Sequence, residues 1–223
     1  AAAVAAHIGI PHSVLDLSEL FQREVMDKFV SEYAHDRTPN PCVDCNRCIK
    51  FGRLLEEAKR LGCSHLATGH YARISQDGGG RALLSMPRDR AKDQTYVLWS
   101  LSQEQLSSTL LPLGDLTKAE VRAIAEEHGL LAAKRKDSQD ICFIPDGDYV
   151  GFIERYTKKS FPEGNFIDLD GNVLGRHGGQ LRYTIGQRKG LGMGFGRPMY
   201  VCDKNAQTGE VVLCDNDQLF RHT

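Results

Sequence analysis

The chain has no stretch long or apolar enough to cross a membrane. Its apolar runs, AAAVAA at residues 1–6 and VVL at 211–213, fall far short of the roughly 20 residues a spanning helix needs. A basic flank and a cleavage pattern are equally lacking at the start, AAAVAAHIGIPH, so it does not have the form of a signal peptide. It reads as the end of an Ala-rich helix leading into a strand, which implies a preceding segment in the intact protein. No internal repeat and no low-complexity tract interrupts the sequence. Charge imbalance is absent too: 28 Lys and Arg stand against 29 Asp and Glu, which taken alone argues against a nucleic-acid binder. The cysteine density of a small secreted scaffold is missing. Seven cysteines in 223 residues, odd in number and unevenly placed, suit a reducing cytoplasm with thiol or metal chemistry.

The chain does have ordinary globular material, enough for one large domain or two small ones. The string SVLDL at 13–17 suggests a short buried strand, followed by a helix capped by Ser18 with Phe21, Val25, Phe29 and Tyr33 on one face. DRTPNPCVDCNRCIKFG opens with two prolines and two asparagines, which predicts a loop turning helical from about Ile49. HLATGHYA at 65–72 reads as a strand ending in an exposed turn at Gly69-His70, with a hairpin around 76–80. Thr117-Lys118-Ala119-Glu120 is a capping box, with Gly129 as the stop of its helix. Alternating strands and helices imply a parallel sheet covered by helices, hence an α/β class. After residue 145 the style shifts to a short helix at 149–156 and brief strands between Gly-rich turns, a small α+β or mostly β module. The predicted boundary lies near residue 147.

The sharpest chemical signal is Cys42-x-x-Cys45-x-x-Cys48. Three thiolates at this spacing suit a reactive thiol, a metal or iron–sulfur site completed by Cys142 or His35, or an inert zinc knuckle, in that order. Cys142, between Ile141 and Phe143, reads as core packing, as do Cys63, Cys202 and Cys214. Lys92-Asp93-Gln94 is either a solvated helix start or a contact loop. From Arg176 to Arg197 five basic residues, among them Arg182, Arg188 and Lys189, occur without an acid, and Lys134-Arg135-Lys136 forms a second basic knot. The run therefore competes as a phosphate-contacting face with the reading of a solvated surface. Glycines at 190, 192, 194 and 196 do not match the dinucleotide fingerprint and predict a flexible loop.

Five ordered strings, TPNPCVDCNRCIKFG, ATGHYAR, KDQTYVLWSL, KDSQDICFI and YTIGQRKGLG, resemble the tRNA-specific 2-thiouridylase family across essentially the whole chain. The resemblance implies a partial Rossmann-like parallel sheet of the adenine nucleotide alpha hydrolase type. Residues 1–147 would form an N-terminally incomplete catalytic ATP-pyrophosphatase-type domain, and 148–223 a small central linking domain. It also implies ATP-dependent transfer of persulfide sulfur to C2 of the wobble uridine through an adenylated intermediate. Cys45 would be the nucleophile and Cys142 the persulfide carrier. Asn40, Pro41 and Cys42 would meet the target base, and His70, Lys92, Asp93 and Gln94 the tRNA, while Gly69 would lie beside ATP. The implied partners are ATP with Mg2+, the anticodon stem-loop and a persulfide donor protein, with no membrane. The family's Ser-Gly-Gly-x-Asp-Ser phosphate loop and its terminal β-barrel have no counterpart here, so the chain resembles the centre of such an enzyme. Rival expectations are an iron–sulfur-dependent thiolase using Cys42 and Cys45, and a zinc-stabilised tRNA-binding module.

Overall fold

Phe21, Val25, Phe29 and Tyr33 recur every four residues because one face of a helix is buried, and a helical run does span them. It comprises α2 (Ser18–Phe21), a wide π-helical turn (Gln22–Asp27) and α3 (Lys28–Ala34). Val25 and Phe29 are each 1% exposed. The computed structural model describes residues 1–130 and 141–219. The basic knot at 134–136 and the first half of KDSQDICFI lie outside the described residues. The chain divides into two compact units, Ala1–Met26 with Asn40–Gln139 and Asp27–Pro39 with Asp140–Thr223.

In the first unit α1 (Ala2–Ile8) stops at Gly9, whose left-handed backbone closes the helix. The strand expected over 13–17 does not form. A strand exists only against a neighbour, and Val14 and Leu15 remain 85% and 43% exposed. The loop expected before Ile49 is instead helical from Pro41 onward: α4 (Pro41–Asp44), a π-helical stretch (Cys45–Leu54) and α5 (Leu55–Arg60). Proline breaks a helix only in its interior. At the first position its missing N–H would be unpaired anyway, and Asn40 caps by accepting from the Cys42 amide at 3.1 Å. β1 (Leu66–Ala67) pairs in parallel with β4 (Thr109–Leu110), and β2 (Arg73–Gln76) forms an antiparallel hairpin with β3 (Ala82–Ser85). Between them, α6 (Gln103–Ser107) anchors β3: Gln103 exchanges two hydrogen bonds with the Ala82 backbone, each 2.9 Å. α7 (Lys118–Glu127) carries the complete Thr117–Glu120 capping box. Phe51, Ala72, Val97, Leu98 and Leu106 form the core of this unit. Gly114 passes so close to the Ala72 carbonyl that a Cβ would sit 2.3 Å from the oxygen, so only glycine fits.

In the second unit α3 packs with α8 (Tyr149–Thr157), burying Phe29, Tyr33, Ile144, Val150 and Ile153. β5 (Gly164–Ile167), β6 (Val173–His177), β7 (Tyr200–Lys204) and β8 (Val211–Cys214) make a four-stranded sheet in the order β6-β5-β8-β7, with only β5–β8 parallel. Phe166, Val201, Val211 and Leu213 form its fully buried face. The glycine-rich loop is anchored rather than free, because Leu191 and Phe195 pack on that face. Of the scattered cysteines only Cys214 is core. Cys202 is half-buried, with its thiol donating to the Val212 carbonyl at 3.6 Å, and Cys63 is exposed.

Phe166 is fully buried and its ring meets those of His177, Tyr183 and Phe195 at 5.0, 5.0 and 5.9 Å. Phe166→Ala should therefore cost about 3–5 kcal/mol in denaturant unfolding, whereas Thr117→Ala, which removes only a cap, should cost about 1 kcal/mol. Equal losses in the two variants would contradict this division between core and cap.

Candidate functional site

Cys45 lies one turn into the capped helix and is half-buried. The next residue, Asn46, is 1% exposed and donates from Nδ2 to the Val97 carbonyl at 3.1 Å, tying the cysteine helix to the KDQTYVLW segment. Gln105 adds a second tie, donating to the Phe51 carbonyl at 2.9 Å. One turn further, Lys50 Nζ lies 3.4 Å from Nε2 of His70, and the Phe51 and His70 rings are 5.8 Å apart. Gln94 then clamps the ATGHYAR segment: its side chain accepts from the Tyr71 amide at 2.9 Å, and its amide donates to the Tyr71 carbonyl at 3.0 Å. Three strings far apart in sequence thus interlock around the helix that bears Cys45.

His70 is not the exposed turn residue its Gly-His-Tyr context suggested. Gly69 is exposed, but His70 is 7% exposed, with Nδ1 2.8 Å from the Thr68 hydroxyl. Burial first, and then the Lys50 ammonium, push its pKa down to about 4. The ring is therefore neutral near pH 7. With Lys50 donating to Nε2, the proton sits on Nδ1 and is donated to Thr68. Asp93 and Gln94 are likewise engaged within the protein. Asp93 Oδ1 accepts from the Thr95 amide and hydroxyl, both at 2.9 Å, and Gln94 holds Tyr71. Lys92 is half-buried at the end of a short 3-10 turn.

The three clustered cysteines do not converge on a point. Among the described residues no three His, Cys, Asp or Glu side chains could hold a metal ion. The physical reason is the helix itself, which spaces Cys42, Cys45 and Cys48 about one turn apart along an axis instead of folding them around a centre. His35, a candidate fourth ligand, bonds the Ser31 carbonyl through Nδ1 at 2.7 Å. The iron–sulfur and zinc expectations lose their ligand set. Cys42 is exposed. Cys48 is half-buried beside Arg47, whose guanidinium is held above its ordinary pKa chiefly by the Cys48 sulfur, with Asp44 3.1 Å away contributing.

In the second unit Cys142 is exposed, against the core reading of Ile-Cys-Phe. The Ile144 amide donates to the Ile141 carbonyl at 2.8 Å, making a turn over 141–144. Ile141 and Phe143 pack on the core, Phe143 with its ring 5.5 Å from Phe29, and the cysteine between them is displayed outward. Thr38 of the TPNP string bonds Thr184 of YTIGQR, hydroxyl to hydroxyl, at 3.1 Å. The acid-free run is not acid-free in space: Arg176 pairs with Glu163 at 3.3 Å and Arg197 with Asp215 at 3.1 Å. Arg188 and Lys189 are exposed, and no ion pair to either is found among the described residues.

Sequence reasoning missed Asn46 and Lys50, whose roles depend on partners 51 and 20 residues away. Tyr96 and Trp99, which no sequence signal singled out, are 62% and 72% exposed. A tight turn between two buried residues, Val97 and Leu98, cannot be told from a strand or helix start by hydropathy alone.

Residues 1–146 match the family described as the tRNA methyl transferase HUP domain, and residues 150–215 the tRNA methyl transferase PRC-barrel domain. The architecture is thus a Rossmann-like HUP domain followed by a PRC-barrel domain. A protein of Desulfitobacterium hafniense (strain Y51) named tRNA-specific 2-thiouridylase MnmA is 50% identical over 99% of this chain and 60% of its own length. Proteins of the same name from Clostridioides difficile (strain 630) and Treponema denticola are 50% and 51% identical over 98% and 97% of the chain. The chain spans about 60% of the length of these relatives.

The buried His70 generates a pH dependence with a definite sign. Its folded pKa of about 4 lies below the ordinary 6.5, so between those values the unfolded chain binds the extra proton. Its contribution to stability is complete above pH 6.5 and is lost as pH falls toward 4, about 2 kcal/mol of it between pH 7 and pH 5. Urea midpoints of the parent and of His70→Gln should converge over that interval, and a constant difference between them would count against the assignment.

Proposed function

The chain belongs to the family of the tRNA methyl transferase HUP domain, and from that premise we propose that it is the catalytic centre of a tRNA 2-thiouridylase. In this reading it transfers persulfide sulfur to C2 of the wobble uridine. The supporting observation is the mounting of Cys45: a half-buried thiol on a capped helix, fixed by Asn46 to a segment that also holds the His70 strand. The family's printed name speaks of methyl transfer and the relatives' names of 2-thiouridylation. Two accessible thiols at Cys45 and Cys142 suit the second chemistry.

Cys142 receives sulfur from a persulfide-bearing donor protein. The terminal sulfur attacks C2 of the uridine, whose O2 has been adenylated by ATP; the C2–O bond breaks, AMP leaves with that oxygen, and the base is left joined to Cys142 through an S–S bond. The Cys45 thiolate attacks the Cys142 sulfur, and that S–S bond breaks with its electron pair leaving on the uridine sulfur. A Cys45–Cys142 disulfide forms, and a cellular thiol reduces it before the next turnover. The cycle starts from reduced Cys45 and Cys142, and a reducing cytoplasm is the compartment that maintains that state. Asn40 and Cys42, exposed at the start of the cysteine helix, are the base-facing positions, and the buried Pro41 between them shapes the turn that presents them. Lys92 is a tRNA contact, while His70, Asp93 and Gln94 position the site. ATP with Mg2+ is the co-substrate that activates the uridine. Gly69, whose Cβ position is 3.6 Å from Leu113, is the position facing it. The chemistry belongs to residues 1–147, and 148–223 form the linking domain.

In the full-length protein Cys142→Ser should abolish single-turnover thiolation and leave filter-binding affinity for tRNA unchanged, since a hydroxyl cannot carry a persulfide. Normal thiolation by this variant would remove Cys142 from the mechanism. Arg188 and Lys189 should dock on the tRNA backbone, so the Arg188→Glu, Lys189→Glu double variant should bind more weakly. Its log–log salt slope should flatten by roughly 0.7–0.9 per lost contact. An unchanged slope with intact circular dichroism would place tRNA binding elsewhere.

A further inference from the structure

Tyr96 and Trp99 are large aromatic side chains that the fold leaves in solvent, 62% and 72% exposed, although Val97 and Leu98 between them are 4% and 1% exposed. The backbone explains the contrast. A 3-10 turn over Thr95–Val97 is followed by further tight turns, with hydrogen bonds from Leu98 N to Thr95 O at 3.0 Å and from Leu101 N to Leu98 O at 3.1 Å. In a threefold turn residues three apart stand on one side, so Tyr96 and Trp99 share the outward side while Val97 and Leu98 enter the core with Phe51. Val97 is also the residue whose carbonyl receives the buried Asn46 amide, next to Cys45. The aromatic pair is therefore mounted rigidly on the body that carries the proposed nucleophile.

We propose that Tyr96 and Trp99 form a stacking platform for an unpaired nucleobase of the tRNA loop, next to the uridine presented to Cys45. The inference rests on the tRNA reading above and adds to it the residues that seat a neighbouring base. Size selects the occupant. Fully buried aromatics cover about 150–250 Å² each, so two rings exposed to this degree offer on the order of 250 Å², well below the roughly 800 Å² per partner of a stable protein interface. The face of one or two bases matches that area. The turn is tied down before RNA arrives, so seating a base costs the protein little ordering.

Trp99 is the single tryptophan of the sequence, which makes the platform directly observable. The 223-residue chain is titrated with an unmodified anticodon stem-loop RNA carrying a wobble uridine, and in parallel with a fully paired duplex. Tryptophan emission and filter binding are followed together. The stem-loop should quench emission over the same concentration range in which it binds, and the duplex should not. Tyr96→Ala and Trp99→Ala should each weaken stem-loop binding roughly tenfold, while Tyr96→Phe and Trp99→Phe keep most of it. The salt slope should stay unchanged in all four, because no phosphate contact is lost. Stem-loop binding with unquenched emission, or phenylalanine variants as weak as the alanine ones, would overturn the platform and leave the tRNA reading standing. Trp99-dependent self-association in sedimentation would show the occupant to be a second copy of the chain, and would also overturn it. Absence of any stem-loop binding would remove the tRNA reading and the platform with it.

Discussion

The buried hydrogen bond from Asn46 to the Val97 carbonyl is the constraint on which the first unit's site depends. An amide side chain inside a core of Phe51, Val97 and Leu98 is costly unless it is bonded, and losing its partner would strand the Val97 carbonyl at about 1–3 kcal/mol. The bond sets the register between the cysteine helix and the segment 92–101, and everything else follows from that register. Gln94, one turn of backbone earlier, can then clamp Tyr71 from both sides, in the segment between β1 and β2 where His70 lies against Lys50. The neutral state of His70 is a consequence of that closure, since burial is the first cause of its lowered pKa.

The second unit displays its thiol by a different device. Cys142 is held outward by apolar anchors on both sides, Ile141 and Phe143, which pack against α3 and α8. α3 is supplied by the sequence segment 27–39, so the surroundings of Cys142 are built from residues more than a hundred positions earlier. The same segment carries Thr38 to Thr184, and the aromatic stack of Tyr33 on Tyr149, 5.3 Å between centroids, closes it from the other end. The turn thereby leaves the Cys142 thiol reachable from solvent.

Electrostatics separates residues that look alike in sequence. Arg176 and Arg197 are matched by Glu163 and Asp215 and contribute little net field, whereas Arg188 and Lys189 stand exposed on the loop between buried Tyr183 and Leu191. The net charge of −1 therefore hides a local positive site, because a sum over 223 residues contains no geometry.

By itself the sequence determined the local elements whose signals are complete within a few residues. The Thr117 capping box, the hairpin around 76–80, the stripe of Phe21, Val25, Phe29 and Tyr33, its last three residues buried, and brief strands late in the chain all formed as their patterns require. It also carried the family resemblance, because that rests on ordered strings. Only the tertiary structure decided what depends on a distant partner. Residues 13–17 had strand composition but no neighbour to pair with. Pro41 began a helix because Asn40 capped it, and the CxxCxxC spacing, which on a loop could have gathered a metal, was drawn out along that helix. Alternation around Cys142 could not say which parity faced inward until α3 arrived to cover Ile141 and Phe143. The roles of Asn46 and Trp99 were settled in the same way, since burial of one and exposure of the other depend on what the rest of the chain places beside them.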